Sequence, residues 1–158
     1  MSGQAPPSRR PAGWHDERMP IATTSIAHVR LTVTDIARSR RFYESVFGWT
    51  VLLEVPADAD QDTRDQLSFL FGGVVYDTGD ELIGLRPVAT DPFDENRTGL
   101  DHLAFGVPTR GELDIAATHL DRLGIAHEPI KEISRSYILE FRDPDNIALE
   151  LVAPKQPE

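Results

Sequence analysis

The chain has 158 residues, 40% of them hydrophobic and 27% charged, with a formal net charge of −10 and no cysteine. That balance suits one globular domain with a sizeable core, and no apolar run nears the roughly 20 residues a membrane-spanning helix needs. The negative charge argues against nucleic acid as a partner, and the lack of cysteine excludes disulfides, thiolate metal sites and cysteine nucleophiles.

Residues 1–24 hold Pro6, Pro7, Pro11 and Pro20 among small and charged residues, a composition that predicts a disordered tail. His15 and Trp14 fall in that tail. With no apolar stretch resembling a secretory signal, a cytoplasmic location is expected. A first module is expected over residues 25–88. Its opening strand, Ile26-Ala27-His28-Val29-Arg30-Leu31-Thr32-Val33, leads into a helical pattern carried by Ile36, Tyr43, Val46 and Phe47. Asp35 can cap that helix and Gly48 can end it in the left-handed conformation. Strands are expected at residues 50–55, 67–71 with their continuation, and 81–87, with residues 56–65 as a polar loop.

A second module, residues 99–153, repeats the order. Leu100-Asp101-His102-Leu103-Ala104-Phe105-Gly106-Val107 places a histidine where the first module has His28. Thr109-Arg110-Gly111-Glu112 resembles a capping box, and Leu113, Ala116, Ala117, Leu120 and Leu123 form one apolar stripe before Gly124. Strands follow at residues 126–130, 137–142 and 147–152, the last two joined by the turn signal Asp143-Pro144-Asp145-Asn146. Residues 154–158 form a short tail. Each half reads strand–helix–strand–strand–strand, an α+β chain of two tandem βαβββ modules.

Alternation along a strand sorts these side chains onto two faces. Val29, Leu31 and Val33 oppose His28, Arg30 and Thr32. Leu103, Phe105 and Val107 oppose His102 and Ala104. Ile147, Leu149 and Leu151 oppose Ala148 and Glu150, and Ile83 and Leu85 oppose Gly84 and Arg86. One face is aliphatic and suits packing under helices. The other is small or polar and carries His28, His102 and Glu150. Two imidazoles and a carboxylate are good donors for a divalent ion, and three protein ligands leave positions open for substrate and water. His119, on the helix, is expected to be solvated, and His127 has no evident partner.

These residues resemble the vicinal oxygen chelate superfamily, which includes glyoxalase I, extradiol dioxygenases, fosfomycin-resistance enzymes, methylmalonyl-CoA epimerase and bleomycin-resistance proteins. The likeness covers about residues 26–153 and rests on residues 26–33, 38–49, 99–107 and 141–152. It implies paired βαβββ modules curled as a curved mixed sheet around a pocket. It also implies one divalent metal, whether iron, manganese, nickel or zinc, held by His28, His102 and Glu150. Glyoxalase I places a fourth ligand, a glutamate, where this chain has Gly84. Extradiol dioxygenases typically carry a tyrosine ten positions before the glutamate ligand, where this chain has Glu140. Their acid–base histidine falls near Arg86 and Pro87. Bleomycin-type binders lack the triad. The reading that follows is a lyase or isomerase acting on a small substrate with vicinal oxygens. An Fe(II) dioxygenase and a non-catalytic binder are the alternatives. If Phe141 faces the core, Glu140 turns toward the pocket and is the candidate base, or else pairs with Arg86 or Arg30. Arg30 and Arg86 are candidate contacts for an anionic substrate group. Asp94, Glu95 and Arg97 are candidate wall residues. A homodimer is expected, with the pocket closed either within one chain or between modules of two.

Overall fold

The computed structural model describes residues 21–155, so the expected tail and His15 lie largely outside the described residues. The first half runs β1 (His28–Thr32), α1 (Ile36–Phe47), β2 (Thr50–Glu54), α2 (Gln61–Gln66), a 3-10 turn (Ser68–Leu70), β3 (Val74–Asp77) and β4 (Leu82–Arg86). The second runs β5 (Leu103–Gly106), α3 (Arg110–Leu123), β6 (Lys131–Ile133), β7 (Ser136–Arg142) and β8 (Ala148–Pro154). The strands form two four-stranded sheets, ordered β1-β4-β3-β2 and β5-β8-β7-β6. In each, the first strand runs parallel to the last and the remaining neighbours are antiparallel. The same topology twice is the structural form of the repeat in sequence.

Both long helices begin and end as their caps dictate. The Asp35 carboxylate accepts from the Arg38 amide, and Thr109 Oγ1 accepts from the Glu112 amide. Gly48 and Gly124 take the left-handed conformation that closes each helix, at φ 65° and 69°. The aliphatic strand faces lie inward as alternation requires. Leu31, Val33, Ile83, Leu85, Ile147, Leu149 and Leu151 are buried in one core with Leu113 and Leu120 of α3. Leu123 of the expected stripe is 39% exposed. Aromatic rings join the halves: Phe47 stacks on Trp49 at 4.3 Å and meets Phe105 of β5 at 5.1 Å.

A polar lock crosses the same seam. The turn between β7 and β8 folds on its own carboxylate, with Asp143 Oδ1 accepting from the Asp145 and Ile147 amides at 2.8 and 2.7 Å. Asn146 adopts φ 67° there. The nearly buried Asp145 carboxylate then reaches the start of α1, accepting from the Thr34 amide at 2.9 Å, the Thr34 hydroxyl at 2.5 Å and Arg38 at 2.5 Å. A carboxylate at a helix N-terminus also complements the helix dipole. Asp143 Oδ2 accepts from the buried Tyr43 hydroxyl at 3.1 Å.

Three expected elements differ. Residues 67–71 are not a strand but the end of α2 and the 3-10 turn, and α2 occupies part of the expected loop at 56–65. Asp60 accepts from the Thr63 amide at 2.8 Å and starts that helix; a short apolar run alone does not distinguish helix from strand. Residues 126–130 make only an isolated bridge, His127 to Phe141. Pro129 has no amide hydrogen for a ladder, and β6 starts only at Lys131. Helix α3 packs against α1 and against β7 and β8, and the strands form two four-stranded mixed sheets.

Candidate functional site

Each sheet lines a cavity with the face turned away from the core, and the candidate residues divide between them. On the first sheet, His28, Arg30 and Gly84 line a cavity of about 520 Å³ with Leu52, Leu53 and Phe69. On the second, His102, Glu140 and Glu150 line a cavity of about 750 Å³. The structure therefore brings His102 together with Glu150, and not with His28 of the same chain. Among the described residues no three histidine, cysteine, aspartate or glutamate side chains gather closely enough to hold a metal ion.

The second face gathers three of the candidate residues. His102 immediately precedes β5, and Glu150 sits on β8 with Ala104 as its parallel partner. The small Ala104 keeps the space beside both side chains open. Glu150 is half-buried and makes no ion pair among the described residues. His102 Nδ1 lies 2.5 Å from Asp101 Oδ1, which leaves Nε2 as the outward nitrogen, as in metal-binding histidines held by a carboxylate. The hydrogen bond to Asp101 raises the His102 pKa, partial burial lowers it, and the Glu150 charge adds to the rise.

Glu140 is directly opposite Glu150 in the antiparallel register, on the same face, as alternation from the buried Phe141 requires. Its ion-pair partner is Lys131, Nζ to Oε2 at 2.5 Å. Arg30 and Arg86, the partners expected from sequence, belong to the other sheet. The Lys131 ammonium is raised by the same contact.

The first face holds the other candidates. Arg30 lies beside Gly84 in the parallel register, and Thr32 beside Arg86. Arg30 donates from Nη1 to the Phe69 carbonyl at 3.1 Å and from Nη2 to the Leu70 carbonyl at 3.4 Å. The Arg86 guanidinium stacks over the Phe71 ring at 4.1 Å. His28 is exposed at the mouth.

Other side chains complete the picture. Glu95 lines the second cavity and takes both ends of Arg142, at 2.7 and 3.1 Å, which holds its carboxyl down at about 2. Asp94 and Arg97 line a separate 220 Å³ cavity instead. His127 also lines the second cavity, although both ring nitrogens are engaged, Nδ1 by the Glu128 carbonyl at 2.9 Å and Nε2 by Asp121 at 3.4 Å. His119 is not simply solvated, because Nε2 meets the Ser45 carbonyl of α1 at 2.8 Å. Phe69 and Phe71 escaped the sequence reading because the short apolar run at residues 67–71 reads as a strand. Among the described residues no helix is long and apolar enough to cross a membrane.

Comparison with known proteins agrees with this architecture. The family model described as the Glyoxalase/Bleomycin resistance protein/Dioxygenase superfamily matches residues 25–151. The crystal structure of a glyoxylase/bleomycin resistance protein/dioxygenase domain from Frankia sp. EAN1pec is similar over 85% of this chain and all of that one, with a TM-score of 0.70 and 34% identity. The uncharacterized protein YaeR of Escherichia coli is 30% identical over 133 residues, covering 83% of this chain and 97% of that protein. The catechol-2,3-dioxygenase of Bacillus subtilis is 31% identical over 134 residues, 84% of this chain but 42% of that enzyme. With the repeated topology and the paired cavity-lining faces, these likenesses place the chain in the glyoxalase/bleomycin resistance protein/dioxygenase superfamily.

Proposed function

We propose that this chain is a metal-dependent enzyme of the lyase or isomerase kind, acting on a small substrate with vicinal oxygens. The observation that carries the reading is the second face itself. His102 and Glu150 share one open face, neither ligating nitrogen nor carboxylate is consumed by the protein, and a second carboxylate faces Glu150 across the ladder. A half-buried carboxylate with no ion pair of its own among the described residues, beside an imidazole, is a donor pair suited to a divalent cation. The third donor, His28, is exposed on the other sheet, so the set closes when two copies meet with the first face of one against the second face of the other. A two-fold dimer of that kind makes two such sites.

A divalent ion bound there (iron, manganese, nickel or zinc) would polarise a substrate oxygen and stabilise negative charge developing on it. His28, His102 and Glu150 would hold it. Asp101 fixes the ring of His102. Glu140 is the base: Lys131 occupies Oε2, and Oε1, without a partner among the described residues, takes the proton from an acidified carbon or a bound water. Arg30 and Arg86 stand on the substrate side of the pocket.

The test is metal analysis of protein purified without chelators, on wild type, His28→Ala, His102→Ala and an equal mixture of the two variants. The reading expects stoichiometric metal in wild type, loss in each variant, and recovery in the mixture to about a quarter of the wild-type sites, since half the dimers are mixed and each has one intact site. No metal in wild type overturns the enzyme reading in favour of a binding protein. No recovery in the mixture places the three ligands within one chain. The likeness to catechol-2,3-dioxygenase favours a second reading, an Fe(II) dioxygenase, which iron content with oxygen uptake on catechols would establish.

A further inference from the structure

We infer that the face of the first sheet is a binding site for an organic carboxylate with an apolar body, with Arg30 as the group that recognises the charge. The inference rests on the proposed reading of this face as the substrate side of the site, and it adds the substrate class.

The argument begins at Gly84. A Cβ there would stand 3.0 Å from Arg30 Cγ and 3.4 Å from Nε, so the arginine stem lies directly over the glycine. Any larger side chain at 84 would displace the arginine, so the absent side chain at 84 and the long one at 30 are complementary.

The guanidinium is held without being neutralised. It has five N–H donors, and the Phe69 and Leu70 carbonyls occupy one on each terminal nitrogen. Nε is buried without a partner. In a chain with 26 acidic residues against 16 basic ones, no carboxylate lies within ion-pair distance of Arg30 or Arg86 among the described residues. Arg38, Arg40, Arg97, Arg110 and Arg142 have one; Arg41, Arg64, Arg122 and Arg135 also lack one, but among the described residues Arg30 is the unpaired arginine that lines this cavity. A fixed, unpaired guanidinium with free N–H groups beside a cavity is built to meet a bidentate anion.

The rest of the cavity specifies the body. Its other walls include Leu52, Leu53, Phe69, Val75 and Leu82. Leu52 and Phe69 of this lining are 55% and 50% exposed, and Phe71, two residues on from Phe69, is 53% exposed, so large apolar side chains stand uncovered at this face. Phe71 also adopts φ 56°, a conformation costly for a bulky residue and usually retained for function. It lays its ring on the Arg86 guanidinium. The turn that presents Phe69 thus also supplies the carbonyls that fix Arg30. At about 520 Å³, the cavity has the size of a small-molecule site.

Calorimetric titration with 4-phenylbutyrate and its neutral analogue 4-phenylbutyramide tests this. Wild type should bind the carboxylate about tenfold to a hundredfold more tightly than the amide. Arg30→Gln should erase that preference while leaving amide affinity in place. Gly84→Ala, whose methyl pushes against Arg30 Cγ, should weaken carboxylate binding several-fold and serves if the arginine variant does not fold. Equal affinity for the two probes, no measurable binding of either, or a preference that survives in Arg30→Gln overturns the inference. Metal content of the same preparations reports on the other reading. Preference without metal upholds the carboxylate site and sinks the metal enzyme; metal without preference does the reverse.

Discussion

Replacing Asp145 by asparagine isolates the polar lock between the two modules. The carboxylate is 4% exposed and receives the Thr34 amide, the Thr34 hydroxyl and Arg38, with Ser39 Oγ farther off at 3.5 Å. Asparagine keeps one acceptor but turns an NH2 group toward donors. Arg38 is 42% exposed on its side chain and can turn to water, so its loss counts little. Thr34 is itself exposed, but both of its bonds end on the buried Asp145 carboxylate, and a hydrogen bond to a charged group contributes about 1.5–3 kcal/mol. Together they set an expected loss of about 3 kcal/mol, or roughly 6–12 °C in Tm for a domain of this size. Urea and thermal unfolding of Asp145→Asn, Thr34→Val and the double variant measure it. The double variant should lose less than the sum, with a coupling of about 1–2 kcal/mol. A loss below ~0.5 kcal/mol for Asp145→Asn, or strict additivity with Thr34→Val, would refute the lock.

Leu149→Ala empties a position that is 1% exposed and should cost about 2–5 kcal/mol in urea unfolding. Gly73→Ala should destabilise by at least ~2 kcal/mol in thermal melts, because the new Cβ would stand 1.9 Å from the Leu85 carbonyl oxygen, which is backbone and cannot yield. Glu95 should titrate by carboxyl NMR at about 2, and Arg142→Gln should return it to the ordinary carboxylate range. Because the folded pKa is depressed, the stabilisation is full above the ordinary value and is lost as pH falls through about 2. Glu140→Gln should retain metal and lose turnover by a hundredfold or more; full turnover with metal retained would remove Glu140 as the base. Gly84→Glu should pair with Arg30 and abolish the carboxylate preference in the same titration.

The repeat, both long helices and the sorting of side chains onto faces were legible in the sequence because each depends on local physics. Asp35 and Thr109 start the helices, Gly48 and Gly124 end them, and strand alternation puts His28, Arg30, His102 and Glu150 opposite the aliphatic residues. Residues 67–71 and 126–130 misled for equally local reasons. An apolar run beside a capped helix has two solutions, and Pro129 interrupts a ladder that the neighbouring composition favours. Lys131 as the partner of Glu140, and Asp145 as the partner of Thr34, could not be read, since they join segments whose meeting depends on the folded chain.

Sequence alone determined which residue types stand on which face, because a strand has period two and no distant contact can alter it. It could not determine which faces oppose one another. That is decided by α1 and α3 packing together in one core, which leaves the His28 face and the His102–Glu150 face on separate sheets. Nor could it show that the glycine at 84 and the arginine at 30 are one feature. Only the parallel register of β1 and β4 lays one over the other, because neighbours across a ladder are set by strand pairing and not by either strand alone.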